Sequence, residues 1–311
     1  MYIVASSKPN QANNCIMKSI KLYTVLASII VIIILYGSST FVYYSIKNFY
    51  FSFSGFASLL LPVIAITGLI ISFSSGFKKT ALLRLFLCIE IFSFPFTVLF
   101  YIKHFTGSDE FGGYRPHVPV QFIIGIFLTL IMTTCSAILL WHLSREKKPK
   151  LTFVQYGEEK FGQFEPAGKW LRFTNRLIDA MVIVYFLYNR LVEGRLLPRS
   201  EYTRGYAALF LVEGIMLIAF YLLLEGIFNT TPGKCATNTV IVNENGERPN
   251  FGQILGRTFC RLIPFDALSF LGAGTRGWHD SLSGTYVVPA ANSNEEAINE
   301  ITLDAELNQQ Q

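Results

Sequence analysis

Six long apolar runs dominate this sequence, and each is long enough to cross a lipid bilayer as an α-helix, since a hydrocarbon core of about 30 Å requires about 20 residues. The runs occupy residues 22–46, 56–74, 81–102, 118–143, 171–192 and 206–228. Hydrophobic residues make up 51% of the chain and charged residues only 15%, which is far from the composition of a water-soluble domain. The pattern therefore predicts an all-α integral membrane protein with six transmembrane helices.

The first apolar run also allows a second interpretation, because basic residues precede it as they precede a secretory signal. Lys8, Lys18 and Lys21 lie before residues 22–46. The apolar region of a signal is only about 7–15 residues long and ends at a cleavage site with small residues. We therefore expect an uncleaved membrane helix here.

The distribution of lysine and arginine predicts the orientation in the membrane. Most of the 26 basic residues fall in the N-terminal segment, the second and fourth connections and the C-terminal region. Basic residues are enriched on the cytoplasmic side, so both termini are expected in the cytoplasm. An opposing signal comes from the fifth connection, which holds Arg190, Arg195, Arg199 and Arg204.

The sequence carries no motif for a metal, a disulfide or a nucleotide. Its five cysteines are scattered without a CxxC spacing, and its four histidines never lie at a ligand-like spacing. Gly233 and Lys234 lack the earlier glycine and the Ser/Thr of a phosphate-binding loop. The net charge of +5 is explained by basic residues beside membrane segments. We therefore expect the lipid bilayer as partner, and no nucleic acid, cofactor or enzymatic activity.

The fifth apolar run carries charge where a membrane helix normally has none. Arg172, Arg176 and Asp179 are separated by four and three residues, so they share one face of a helix. A lone carboxylate in hydrocarbon is costly, so Asp179 must pair, take up a proton or face a polar cavity. We expect it to form a charge cluster with Arg172 or Arg176. From the rise per residue, Glu213 of the sixth run lies near the same depth, which allows the two acids to share a cavity.

A second acid stands inside the third apolar run. Glu90 lies near the middle of residues 81–102, five residues before Pro95, which is expected to kink the helix. Two interpretations stay open for Glu90. It is a proton or cation site, or it is a buried acid neutralised by a neighbouring hydroxyl.

A change of composition divides the chain. Residues 145–169 are polar and basic, and we interpret them as a cytoplasmic linker between an N-terminal four-helix region, residues 1–144, and a C-terminal region, residues 170–289. The final segment, residues 290–311, holds acids without lysine or arginine and is expected to be disordered.

The C-terminal region is predicted to carry structure outside the membrane as well. Residues 239–242 and 285–288 are rich in β-formers and are expected to pair into a short two-stranded sheet. Residues 251–262 show an apolar stripe at helical spacing, which predicts an amphipathic helix on the cytoplasmic surface. Arg257 and Arg261 lie off that stripe and are expected to contact lipid headgroups, with contact to a substrate phosphate as the alternative.

Three short motifs in the C-terminal region resemble those of one family. Arg172 precedes Asp179 by seven residues. Glu225 lies near the end of the next apolar run, and the sequence Thr231-Pro232-Gly233-Lys234 follows that run. His279-Asp280 opens an HDxxxGT pattern that ends at Thr285. Over residues 170–288 the chain resembles the RDD family, bacterial membrane proteins named for one arginine and two aspartates, here Arg172, Asp179 and Asp280.

The resemblance implies a location in the bacterial cytoplasmic (inner) membrane and a transport function, with cation/proton exchange suggested for some members. On this hypothesis Asp179 is the exchanging carboxylate, Glu213 and Glu90 are second sites, and Arg172 is the cation that resets the site. Protons or monovalent cations would be the substrates. A homodimer would be expected, because six helices make a small transporter.

The alternative is a non-catalytic structural or accessory membrane protein. Here the arginines and aspartates fix the packing of the fifth helix against the C-terminal region, with Arg172 bonded to Asp280. Buried ion pairs often serve as such registry devices. The remaining candidate residues, Glu225, Lys234 and His279, accompany the cluster under either hypothesis.

Overall fold

The computed structural model describes residues 22–34, 53–105, 120–145, 147–156, 159–186, 206–263, 266–269 and 276–291. Four helices form the N-terminal half: α1 (Leu22–Ile34), α2 (Phe53–Ser74), α3 (Ala81–Phe105) and α4 (Val120–Arg145). The predictions for the basic N-terminal segment, the arginine-rich fifth connection and the acidic tail concern residues outside these ranges.

Within the described residues, two helices are long and apolar enough to cross a membrane, over Ala81–Leu99 in α3 and Ile123–Arg145 in α4. Shorter apolar helices cover Leu22–Ile34, Leu60–Ser74 and Gly214–Phe228. Large apolar side chains lie exposed along α4, among them Phe127 at 61% exposure. An extended apolar surface of this kind is unfavourable in water and is accommodated by lipid. The fold is thus mostly helical, and α4 exposes an apolar surface.

The segment between the two halves contains a hairpin that sequence analysis did not find. Strand β1 (Leu151–Tyr156) pairs antiparallel with β2 (Glu159–Phe164). Threonine, valine and aromatic residues favour strands, and this local preference outweighs the polar character of the segment. On either side of the hairpin, backbone amides donate to strand carbonyls of the C-terminal region, from Ala167 to Val287 at 2.7 Å and from Lys150 to Pro289 at 2.9 Å.

The C-terminal half alternates long and short elements. In chain order they are α5 (Lys169–Phe186), α6 (Tyr206–Phe228), α7 (Pro232–Thr237), β3 (Thr239–Asn243), α8 (Phe251–Cys260), α9 (Asp266–Ser269), α10 (Trp278–Leu282) and β4 (Thr285–Pro289). Strands β3 and β4 pair antiparallel, from Thr239 opposite Pro289 to Asn243 opposite Thr285. The predicted two-stranded pairing is therefore confirmed.

The predicted amphipathic helix is present as α8, but its arginines point into the protein interior and not toward the surface. Asn250 and Gln253 form a reciprocal capping box that fixes the start of the helix. Arg257 is 1% exposed and Arg261 is also buried, so the expectation that they contact lipid headgroups is wrong. The physical reason is that acids of neighbouring elements face them, as described below. The exposed face of α8 carries apolar residues instead, such as Phe251.

Helix α7 joins the two halves. It packs against both α3 and α5. One hydrophobic core contains side chains from α4, such as Leu139, and from the C-terminal half, such as Phe220 and Cys235. Helix α7 is therefore packed beside α5, the helix that carries Arg172, Arg176 and Asp179.

Candidate functional site

Asp179 lies inside α5 and is 2% exposed. Its Oδ1 accepts a hydrogen bond from the backbone amide of Gly233 at 2.8 Å. Its Oδ2 accepts from the hydroxyl of Thr231 at 2.8 Å and from that of Tyr221 at 3.3 Å. These three donors are neutral. Asp179 is thus a buried carboxylate stabilised by hydrogen bonds.

The charge cluster expected on α5 contains no direct ion pair between Asp179 and an arginine of its own helix, although all three residues line one cavity. Arg176 donates from Nη1 to the hydroxyl of Tyr221 at 2.7 Å and is linked to Asp179 only through that tyrosine. Arg172 turns toward Asp280, with Nη1 3.7 Å from Oδ2. Sequence spacing placed the three residues on one face, but α6 and α7 bring neutral donors closer to the carboxylate.

The turn before α7 shapes this contact. Thr231 caps the helix by accepting from the amide of Lys234 at 3.3 Å, and Pro232 occupies the first helical turn. A side chain on Gly233 would collide with the backbone of Asn175 in α5. Glycine is therefore required here, because only a residue without a Cβ lets α7 come close enough to donate its amide to Asp179.

Glu225, at the end of α6, is the centre of a second cluster. Its Oε1 lies 2.5 Å from Nζ of Lys234, and both carboxylate oxygens bind Arg261, at 2.7 and 3.0 Å. Nε of Arg257 lies 3.3 Å from Oε2. One fully buried carboxylate therefore ties α6 to α7 and α8. Burial lowers the pKa of Lys234, while the charge of Glu225 opposes that change.

Asp280, on α10, binds Arg257, the arginine whose Nε also contacts Glu225. Nη1 of Arg257 donates both to Oδ1 of Asp280 and to the hydroxyl of Thr285, the latter at 2.8 Å. Burial alone would raise the pKa of Asp280, but the charge and the hydrogen bond of Arg257, together with other nearby charges such as that of Arg261, outweigh burial and lower that pKa to about 2. Arg257 thus bridges Glu225 and Asp280, and the two acids hold α6, α8 and α10 together.

His279 is oriented by an acid from α9. Its Nδ1 lies 2.8 Å from Oδ2 of Asp266, and its backbone amide donates to Oδ1 at 3.1 Å. Burial lowers the pKa of His279, although the charge of Asp280, 3.7 Å from Nε2, acts in the opposite direction. The imidazole is therefore neutral near pH 7, with its Nδ1 hydrogen donated to Asp266.

A small cavity of about 30 Å³, with room for about two waters or one small ion, lies between α5, α7, α8 and α10. Five cationic side chains line it: Arg172, Arg176, Lys234, Arg257 and Arg261. Two carboxylates also line it, Asp179 and Asp280. The cavity wall therefore holds more positive than negative charge.

The structure brings most of the predicted site residues together at this cavity, namely Arg172, Arg176, Asp179, Lys234, His279 and Asp280. Glu225 lies directly behind its wall through Lys234 and Arg261. Glu90 lies half-buried on α3 and does not line the cavity. The backbone of Glu213 belongs to α6, but its side chain lies outside the described residues.

Three contributors escaped sequence reasoning. Tyr221 was not considered, Arg257 and Arg261 were assigned to the lipid surface, and Arg261 in fact stacks 3.6 Å from the ring centroid of Tyr221. A signal existed, because Tyr221 stands four residues before Glu225 on one helix face and the two arginines stand four apart on another. A tyrosine and an acid on one helix face, opposite two arginines on another, were the pattern to search for.

The mostly helical fold, the apolar helix surfaces and the buried charge cluster define a membrane-associated protein. The family model described as the RDD family matches residues 166–288. A similar protein is the uncharacterized protein YxaI of Bacillus subtilis (strain 168), 30% identical over 149 residues that cover 40% of this chain and 97% of that protein. No solved structure matches the chain. The chain belongs to the RDD family, as the arginine and the two aspartates predicted.

Proposed function

We propose that this protein is a transporter that moves protons across the membrane, with Asp179 as the exchanging carboxylate. The observation that carries the proposal is that Asp179 lines the cavity and receives its hydrogen bonds from two hydroxyls and one amide. Protonation of such a carboxylate leaves no cation without a partner. Glu225 and Asp280 face arginines directly, so protonating either would leave a buried positive charge unpaired.

The charge of the cavity wall favours a proton over a metal cation. Five cationic side chains oppose the entry of Na⁺ or K⁺ between them, whereas a proton can be held covalently on a carboxylate oxygen. Cation/proton exchange, which the family resemblance implies, is therefore the second outcome to be measured. Proton flux in liposomes would then depend on a Na⁺ or K⁺ gradient.

The proposal includes six membrane-spanning helices, with both termini in the cytoplasm of a bacterial cell. Helices α3 and α4 are supplemented by α1, α2, α5 and α6. Helix α5 suits this role despite its charges, because its outer face exposes apolar side chains such as Met181 and Val184, while its charged face is covered by protein. Cysteines introduced at Glu110 and Glu158 should be labelled from opposite sides of the membrane, and labelling of both from one side would overturn this topology.

The substitution Asp179→Asn tests the transport proposal. An amide fits the site, since its oxygen accepts from the amide of Gly233 and its NH₂ group donates to the hydroxyl oxygens of Thr231 and Tyr221, which accept as readily as they donate. We expect normal insertion and stability but no proton flux into liposomes loaded with a pH-sensitive dye. Glu247→Gln, an equivalent change at an exposed acid, should leave flux unchanged. Full flux through folded Asp179→Asn protein would disprove the role of Asp179.

The structural alternative has its own supporting observation. Glu225 and Asp280 bind cations from three other elements and thereby fasten α5, α6, α7, α8 and α10 into one body. An accessory protein needs nothing more from these residues. On this hypothesis Asp179→Asn lowers thermal stability or abundance, and wild-type protein shows no proton flux above empty liposomes. The transport proposal also expects a homodimer, which light scattering of the purified protein would reveal.

A further inference from the structure

We propose that the cavity binds a small oxyanion, a phosphate-type or carboxylate group, with Arg172 and Arg176 as its ligands. The inference names the ligand class of the site described above, and it rests on the proposed function only in that the cavity must be reachable by a solute. Binding itself requires no transport.

The first argument is the assignment of charges around the cavity. Asp280 is neutralised by Arg257, and Glu225 is bound by Lys234 and Arg261. Each of these cations therefore has a carboxylate in hydrogen-bond distance or close contact. The described residues offer no such carboxylate to Arg176, and Arg172 has only Asp280, at 3.7 Å, which Arg257 already neutralises. A buried excess of positive charge is unfavourable unless an anion enters.

Arg172 supplies the second, independent argument. It is 7% exposed, and its Nε is buried without a hydrogen-bond partner. Its Nη1 is 3.7 Å from Asp280, which is beyond hydrogen-bond distance. A buried donor without a hydrogen bond has lost its hydration and gained nothing in exchange, which is unfavourable. Because Arg172 lines the cavity, an acceptor bound there would satisfy it.

Arg176 completes a two-sided site. A guanidinium has five N–H donors, and the hydrogen bond that Arg176 donates, to Tyr221, uses one of them. Arg172 and Arg176 are four residues apart on α5, so their side chains are neighbours on one helix face. Guanidinium groups bind the paired oxygens of carboxylates and phosphates in a planar, bidentate geometry. Water in the cavity would satisfy donors but would leave the charge uncompensated.

The proposal is tested by binding to the purified full-length protein in a phosphate-free detergent buffer. Inorganic phosphate and acetate are titrated by calorimetry and by thermal-shift measurement, against gluconate at equal ionic strength, because gluconate is too large for the cavity. We expect phosphate or acetate to bind and to raise the melting temperature, and gluconate to do neither. Absence of binding by both small anions, in delipidated protein and with the lipid described below, would overturn the proposal.

Two variants and one control locate the binding. Arg172→Gln and Arg176→Gln should each weaken the anion about tenfold or more, the loss expected for a charge-assisted hydrogen bond. Arg176→Gln guards against misfolding, since Arg176 is only half-buried. Arg248→Gln is the matched control, because Arg248 is exposed and binds the carbonyl of Ser144 away from the cavity. Equal affinity in all variants would place the anion elsewhere and overturn the proposal.

The same chemistry can come from a free solute or from a lipid headgroup. A short-chain phosphatidic acid added to delipidated protein distinguishes them. Binding of inorganic phosphate identifies a soluble ligand, whereas arginine-dependent binding of the lipid alone identifies a headgroup. Failure of this inference is separable from failure of the proposed function. The proposed function is tested by proton flux through liposomes that contain the wild-type protein and by the loss of that flux in Asp179→Asn. Neither measurement depends on anion binding by the arginines.

Discussion

The two halves of the chain differ in how many charged side chains they bury. In the described part of the N-terminal half the core is apolar, with Leu83, Leu87 and Leu139 fully buried, and Arg84 is its buried cation. The C-terminal half buries charged residues on each of its helices from α5 to α10, and Glu225 and Arg257 are each 1% exposed. Apolar packing specifies volume, whereas charge pairs specify distance and direction. The second half is therefore expected to tolerate far less change than the first.

The halves meet where α3 faces α7. Arg84 of α3 reaches Asn238, with Nη2 3.5 Å from the side-chain oxygen. Cys88 of α3 touches Cys235 of α7, with 3.8 Å between the sulfur atoms. The buried cation of the N-terminal half thus belongs to the contact with the C-terminal half.

The largest expected effect is that of Glu225→Gln. The substitution keeps the volume but removes the charge that faces Lys234, Arg257 and Arg261, and breaking a buried ion pair in this way typically costs about 3–5 kcal/mol. We expect a large fall in the free energy of unfolding, measured by denaturant titration in detergent, or loss of folded protein. Glu247→Gln, at an exposed position, should change it by about 0.5 kcal/mol or less. Equal stabilities of the two variants would show that the buried charge of Glu225 adds little to the stability of the C-terminal half.

A second prediction compares two conservative exchanges directly. Arg257→Lys keeps the charge but cannot bridge Glu225 and Asp280, since an ammonium lacks the planar fork that binds both. Leu139→Met keeps the volume of a core position in α4 and should cost less than about 1.5 kcal/mol. We expect the arginine exchange to lower the melting temperature more than the leucine exchange. The reverse order would mean that the charge cluster adds little to stability.

The third prediction concerns pH. Because burial holds the folded-state pKa of His279 below its ordinary value, the unfolded chain binds its proton more readily. Stability is therefore complete above about pH 6.5 and falls as the pH drops below that value, by at most about 1.4 kcal/mol per pH unit for this one group. The groups that act on the imidazole are Asp266, Asp280, Arg257 and Arg261.

The variant His279→Asn isolates this contribution. Its side-chain amide can still donate to Asp266, but it does not titrate. Unfolding of the variant and of the wild type should show the same stability difference at every pH above 6.5, and the difference should shrink in favour of the variant between pH 6.5 and 5. A pH profile that is unchanged by the substitution would show that His279 is not the titrating group.

The contrast between the halves also explains which parts of the structure could be predicted from the sequence. Apolar runs and β-formers are local patterns, so the helices and the pairing of β3 with β4 were predictable. Helical spacing likewise grouped Arg172, Arg176 and Asp179 on one face. The partners of these residues were not predictable, because Tyr221 and Thr231 approach Asp179 through the packing of α6 and α7. Likewise, the local sequence of α8 does not distinguish an arginine that is buried against acids of other elements from an arginine that faces lipid.

The smallest expected effect is a covalent test of the contact between the halves. Cys88 and Cys235 are fully buried and their sulfurs are already in contact, so oxidation by diamide should join them with little change in the surrounding fold. The reaction converts two thiols into one disulfide and should be slow, because the oxidant gains access only when the core opens locally. Mass spectrometry of peptides from unreduced protein should show the Cys88–Cys235 link, and Cys88→Ser should abolish it. Cys135 and Cys260 serve as internal controls, and a link from either of them to Cys235 in preference to Cys88 would contradict the packing of α3 against α7.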